Sequence, residues 1–149
     1  MHIQINFPNG RLKLGTLKLY GTPDIGPLLL CDCLGRAVKS KATAKGNPDR
    51  DPVKPWGHIP LGEYPKVPVF YPKRRMSIGE AGIPLLLDGA VGEEVEQARR
   101  NRRYGLYIHA GRGSPRLLIP TFGCARIRFS EFIELLHLIG DREIAVRIA

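Results

Sequence analysis

Apolar and polar positions alternate over three short segments at the start of the chain, His2–Phe7, Arg11–Tyr20 and Pro27–Leu34. A period of two marks a strand buried on one face. In Leu12-Lys13-Leu14-Gly15-Thr16-Leu17-Lys18-Leu19 the alternation continues on both sides of the glycine. Pro8-Asn9-Gly10 and Gly21-Thr22-Pro23-Asp24 separate the three segments, and Asn-Gly is a strong hairpin signal. Lys39 to Pro55 is polar and basic, is broken by Gly46, Pro48, Pro52 and Pro55, and predicts a long loop. A turn from Trp56 leads into a strand that runs to about Tyr71. Pro84–Asp88, Tyr104–Ala110 and Leu117–Ile119 are further short apolar runs of strand character.

Helical spacing replaces alternation in two places. Glu93-Glu94-Val95-Glu96-Gln97-Ala98-Arg99-Arg100 carries its acids first and its bases last, the order that suits a helix dipole. After Ser130, a candidate cap, Phe132, Leu135, Leu136 and Ile139 fall on one helical face, and Gly140 ends the run. Ile144–Ile148 reads as a closing strand. The pattern predicts one domain over residues 1–149, all-β or β-rich, with about eight strands and a packed helix near the end.

Composition sharpens this picture. The 149 residues suffice for one core, and 17 Gly with 13 Pro favour short elements joined by turns. The formal charge of +9 favours an anionic partner or simply a soluble basic surface. The aromatics do not interleave with the basic residues, so a base-stacking platform and a nucleic-acid partner are not expected. No apolar run approaches the roughly 18 residues of a membrane-spanning helix. The first residues, Met1 to Phe7, alternate like a strand and lack the basic start and apolar core of a signal peptide. The chain therefore acts in the cytosol, leaves by a route needing no cleaved signal, or has been trimmed.

Cys31 and Cys33 lie two apart in an apolar run, where a strand points both the same way, as small core residues. His2, His58 and His137 keep no metal-ligand spacing with them, so neither metal nor cofactor is expected. Cys124 is different. It follows Gly123, and His109 stands fifteen residues before it. Both residues end short apolar runs, where a strand delivers a side chain to a rim. Thiolate is the reactive form of cysteine, and a nearby imidazole is a common way to activate it. Gly111, Gly113 and Pro115 let the chain reverse between them, bringing Cys124 onto a tight loop before the helix. The amides of Phe122, Gly123 and Cys124 then offer donors to an oxyanion, and the Ala110 carbonyl or a distant side chain orients His109. Arg126 is a candidate fork for a carboxylate. Thr121 is a candidate support for the thiol loop.

These residues resemble the catalytic core of the L,D-transpeptidases, the YkuD-type cysteine enzymes of bacterial cell walls. That family's signature has a His–Gly-rich stretch, a gap, and then Ser/Thr-x-Gly-Cys-x-Arg/Asn. Here His109 is followed by Thr121-Phe122-Gly123-Cys124-Ala125-Arg126. Pro60-Leu61-Gly62-Glu63-Tyr64 is similar to the family's upstream Pro-x-Gly-x-Tyr/Phe motif, and Gly140 to Ile148 loosely echoes its closing strand. Phe122 stands where a histidine is frequent, and Ala110 where a glycine is frequent. The resemblance implies a β-sandwich or barrel with a helix after the catalytic cysteine. It also implies acyl transfer on peptidoglycan stem peptides through a thioester at Cys124, with His109 as base. The outcome is cross-linking, D-amino-acid exchange or trimming. Phe122, Gly123 and Ala110 then form the backbone of the oxyanion site. Arg126, Thr121, Tyr64 and Arg112 contact substrate. The resemblance further implies action in the periplasm or cell envelope, as a monomer. Compact signal-less relatives include injected antibacterial toxins, for which an immunity or secretion partner is expected.

Two other readings stay open. One is a non-catalytic basic module that binds an anionic cell-envelope polymer. The other is a cysteine peptidase or amidase of another fold, although a papain-like plan puts the cysteine before the histidine. Trp56 and Tyr64 read as packing or a substrate wall, His58 as structural, exposed or a substrate contact, and His137 as non-catalytic. Arg116 reads as a substrate contact or solvated. Lys73-Arg74-Arg75, Arg99-Arg100 and Arg102-Arg103 read as solvated charge.

Overall fold

A computed structural model describes residues 1–74, 76–110 and 118–149. Three strands come first: β1 (His2–Asn6), β2 (Gly15–Tyr20) and β3 (Leu29–Cys33). They are followed by helix α1 (Lys39–Ala44), strands β4 (Gly62–Val67) and β5 (Ile83–Pro84), and helix α2 (Glu93–Arg100). The remainder is β6 (Tyr107–His109), β7 (Ala125–Arg126), helix α3 (Phe129–Ile139) and β8 (Ile144–Ile148). The fold is β-rich, in two mixed sheets. The larger has the order β3-β2-β1-β8-β4, and the smaller β5-β6-β7. The pairs β1–β8 and β6–β7 are parallel and the others antiparallel.

The alternation works as read. Along β3, Leu29, Cys31 and Cys33 are buried while Leu30 is 60% exposed. Burial pushes the Cys31 thiol up to about 12 and that of Cys33 up as well, so both stay protonated and inert. On α3, Phe132, Leu135 and Ile139 face the core, Leu136 packs against it, and His137 is exposed. One apolar core joins side chains from both sheets with Val95 and Ala98 of α2. Gly62 lets α2 approach β4, because a Cβ there would lie 2.7 Å from both Val95 methyls.

Four expectations change. Lys39–Ala44 is a helix inside the expected loop, so three helices stand among the described residues rather than two. Its short run buries only Ala42, too little to show a period. The second strand starts at Gly15 rather than Arg11. A Cβ at Gly15 would lie 2.3 Å from the Asn6 carbonyl, and Arg11 is drawn away to Glu94 and to the Ile59 carbonyl. Asn9-Gly10 closes a turn, with the Gly10 N–H donating to Phe7 O at 3.0 Å, rather than forming a two-residue hairpin loop. Pro8 suits the second position of that turn, and the rest of the connection runs on to Gly15. Finally, α3 starts at Phe129, where the Glu131 carboxylate accepts from the Arg128 N–H at 3.3 Å, so Ser130 is not its cap. Of Leu117–Ile119, Leu117 lies outside the described residues, and residues 118–119 form no strand. Among the described residues no helix is long and apolar enough to cross a membrane.

What positions the site is the segment 34–38, which leaves the larger sheet and latches onto the smaller. Leu34 exchanges both backbone hydrogen bonds with Arg126 at 2.9 Å, and the Val38 N–H donates to Thr121 O at 2.9 Å. The smaller sheet turns Ile108 and Ala125 into the core, both fully buried. Ile108→Ala is expected to cost about 2–5 kcal/mol in denaturant unfolding, against less than about 0.5 for Leu30→Ala on the solvent face. Equal losses would show that the burial pattern is wrong.

Candidate active site

The parallel register of β6 and β7 sets His109 opposite Arg126. Cys124 stands two residues before Arg126, so strand periodicity turns it toward the same side. All three line one cleft of about 810 Å³, with Thr121, Phe122 and Trp56. The structure therefore brings the predicted nucleophile and base into one cavity. Cys124 precedes a two-residue strand, and α3 follows only at Phe129, a small change from the expected loop-to-helix placement.

The cysteine loop is fixed from within. The Thr121 hydroxyl accepts from the Gly123 N–H at 3.1 Å and donates to the Cys124 carbonyl at 2.9 Å. Thr121 thus supports the loop, as expected. The same bond engages one of the three amides expected to face an oxyanion, that of Gly123. Gly123 has φ +124°, and a Cβ there would lie 2.3 Å from Arg103 Nη2 and 2.8 Å from the Gly57 carbonyl, so only glycine fits.

Arg103 explains that crowding. Its guanidinium is buried and donates to the carbonyls of Pro52, His58 (2.6 Å), Gly57 (2.8 Å) and Gly123 (3.4 Å). It is not the solvated charge expected of its arginine run. His58 is structural. Its Nδ1 accepts from the Ala37 N–H at 3.0 Å, and burial lowers its pKa to about 4. Tyr64 is also corrected. It lies in the core, 3% exposed, with its hydroxyl donating to Pro60 O at 2.8 Å, and it does not line the cleft. Arg112 lies outside the described residues, as do Gly111, Gly113, Pro115, Arg116 and Arg75. Ala110 is buried directly after His109.

The electrostatics reverse one expectation. Burial raises the Cys124 thiol above its usual value, and the hydrogen bond from the Tyr107 backbone and the charge of Arg103 offset this only in part. Burial and then the adjacent Arg126 charge lower His109 to about 4. At neutral pH the resting pair is therefore thiol and neutral imidazole, not a thiolate–imidazolium pair. No hydrogen bond joins them. The Cys124 thiol points to the Gly105 carbonyl at 3.7 Å, and the buried His109 Nδ1 has no partner among the described residues, so no carbonyl orients it there. Among those residues no three His, Cys, Asp or Glu side chains gather as metal ligands.

No family model, curated protein or solved structure matches this chain.

Iodoacetamide alkylation of Cys124 is expected to be slow at pH 6–8 and to climb only as pH passes the ordinary thiol value of 9.0. Peptide mass spectrometry locates the label. A rate already on its plateau at pH 6 would show a preformed thiolate.

Proposed function

We propose that this chain is an L,D-transpeptidase-type enzyme, transferring acyl groups of peptidoglycan stem peptides through a thioester on Cys124. Its site of action on this reading is the periplasm or cell envelope. The observation that carries the reading is the meeting of Cys124 and His109 in one cleft, His109 on β6 and Cys124 just before the adjacent β7, with Arg126 beside the histidine.

The steps follow from the protonation states. A substrate carbonyl enters beside Cys124, and the thiol leaves the Gly105 carbonyl. His109 is neutral at physiological pH and takes the thiol proton; its Nδ1, without a partner among the described residues, is the position available. Sulfur bonds to the carbonyl carbon, and the charge develops on the oxygen. The Phe122 and Cys124 amides are the donors nearest in chain to meet it, because the Gly123 amide is committed to Thr121. The C–N bond then breaks, and His109 returns the proton to the departing D-alanine amine. An acceptor amine or water repeats the sequence in reverse on the thioester. Arg126, fixed by both backbone bonds to Leu34, offers a cation to a substrate carboxylate and adds to the burial that keeps His109 deprotonated.

Cys124→Ala is expected to abolish processing of purified muropeptides, read by mass spectrometry. His109→Ala should lower kcat/KM by a factor on the order of 10²–10⁴. Only the neutral ring accepts a proton, so the acid limb of the wild-type profile should lie near pH 4, below the ordinary histidine value of 6.5. Processing by Cys124→Ala would rule out the thioester route, and an acid limb at 6.5 would show that His109 is not held neutral.

A further inference from the structure

The rim of the cleft holds a cluster that the reaction above does not use. Trp56 and Phe122 meet edge to face, ring centroids 5.6 Å apart at 64°. Phe122 is 54% exposed and stands two residues before Cys124. Trp56 has φ +67°, a left-handed conformation that is rare for a bulky residue and costs strain. The loop around it holds it there. The Asn47 side chain donates to Pro55 O at 3.2 Å, the Gly57 N–H donates to Lys54 O at 3.2 Å, and Arg103 holds the Gly57 carbonyl.

Two ammonium groups sit on this aromatic pair. Lys41 Nζ is 5.4 Å from the Trp56 centroid and 5.7 Å from that of Phe122, and Lys45 Nζ is 5.5 Å from Trp56. These are cation–π distances. The lysines stand four residues apart, one turn along the end of α1. Among the described residues neither pairs with a carboxylate. Among the described residues the adjoining cleft is lined by Arg102, Arg103 and Arg126, and by no Asp or Glu. The rings hold two cations that no carboxylate among the described residues pairs with.

We propose that Lys41 and Lys45, held by Trp56 and Phe122, form a subsite for a free carboxylate of the peptide whose carbonyl reaches Cys124. This rests on the acyl-transfer reading and adds to it the feature by which a donor is selected. Arg126 lines the cleft beside His109, whereas this pair sits over Trp56 and Phe122, which line it as well, and meets a second carboxylate further along the donor. The attraction is between opposite charges, so an amide in place of the carboxylate removes it, while arginine in place of lysine keeps it.

The test uses the full chain with Cys124→Ala, so that donors bind without reacting. Calorimetry compares a stem tetrapeptide whose glutamyl carboxylate is free with the same peptide amidated there. The free acid should bind more tightly. K41Q/K45Q should weaken it by about tenfold and leave the amide nearly unchanged, and K41R/K45R should restore the preference. Absence of binding, equal binding of acid and amide, or equal losses in K41Q/K45Q would overturn the subsite. So would a short oligothymidylate that displaces the peptide and depends on both lysines, because it would make the cluster a nucleic-acid contact. If the acid preference follows the lysines but the unmutated chain turns over no muropeptide, the subsite stands and the acyl-transfer reading falls. If turnover occurs without an acid preference, the reverse holds.

Discussion

The buried guanidinium of Arg103 is the interaction on which the site depends. Carbonyls from two separate loops, Pro52, Gly57 and His58 on one side and Gly123 on the other, converge on it. Buried carbonyls with no partner are costly, and here one planar group with five donors satisfies several at once. A lysine would bring the charge without the fork. Through Gly57, Arg103 fixes the wall that carries Trp56. Through Gly123 it fixes the residue before the nucleophile. The close approach also dictates the glycine, since a Cβ at 123 would collide with Arg103 Nη2.

The second constraint is the latch between the sheets. Segment 34–38 bonds to both Arg126 and Thr121, so the cysteine loop is held at each end of its short path. Within that frame the charges work together. Burial first and the Arg126 charge second keep His109 deprotonated, and burial keeps Cys124 protonated. On the acyl-transfer reading proposed above, such a pair rests unreactive toward stray electrophiles and gains its nucleophile only when a bound carbonyl draws the proton across to His109. Among the described residues the cleft lining has three arginines and no acid, which on the same reading suits a substrate bearing carboxylates.

Much of the β framework was legible because alternation reports burial directly. β3, β8 and α3 follow their apolar positions closely, and Cys31 and Cys33 share the buried face that their spacing implies. The meeting of His109 with Cys124 was legible because both end apolar runs. Other features depend on partners far along the chain. α1 is too short to show a period. Arg103 stands in a run of arginines and is distinguished only by carbonyls that lie as many as 51 residues away. Tyr64 matched a motif, yet the core-facing register of β4 and its bond to Pro60 make it a packing residue. The neutral state of the thiol and imidazole reflects burial, which spacing does not encode.

The most direct measurement is the intact mass of the protein after brief incubation with purified stem tetrapeptides, followed by acid quenching and peptide mapping. Acyl transfer at Cys124 predicts an adduct equal to the donor less its terminal D-alanine, located on Cys124, discharged by hydroxylamine and absent from Cys124→Ala. A protein that consumes the donor while Cys124 stays unmodified, or that carries the same adduct on Cys31 or Cys33, would contradict it.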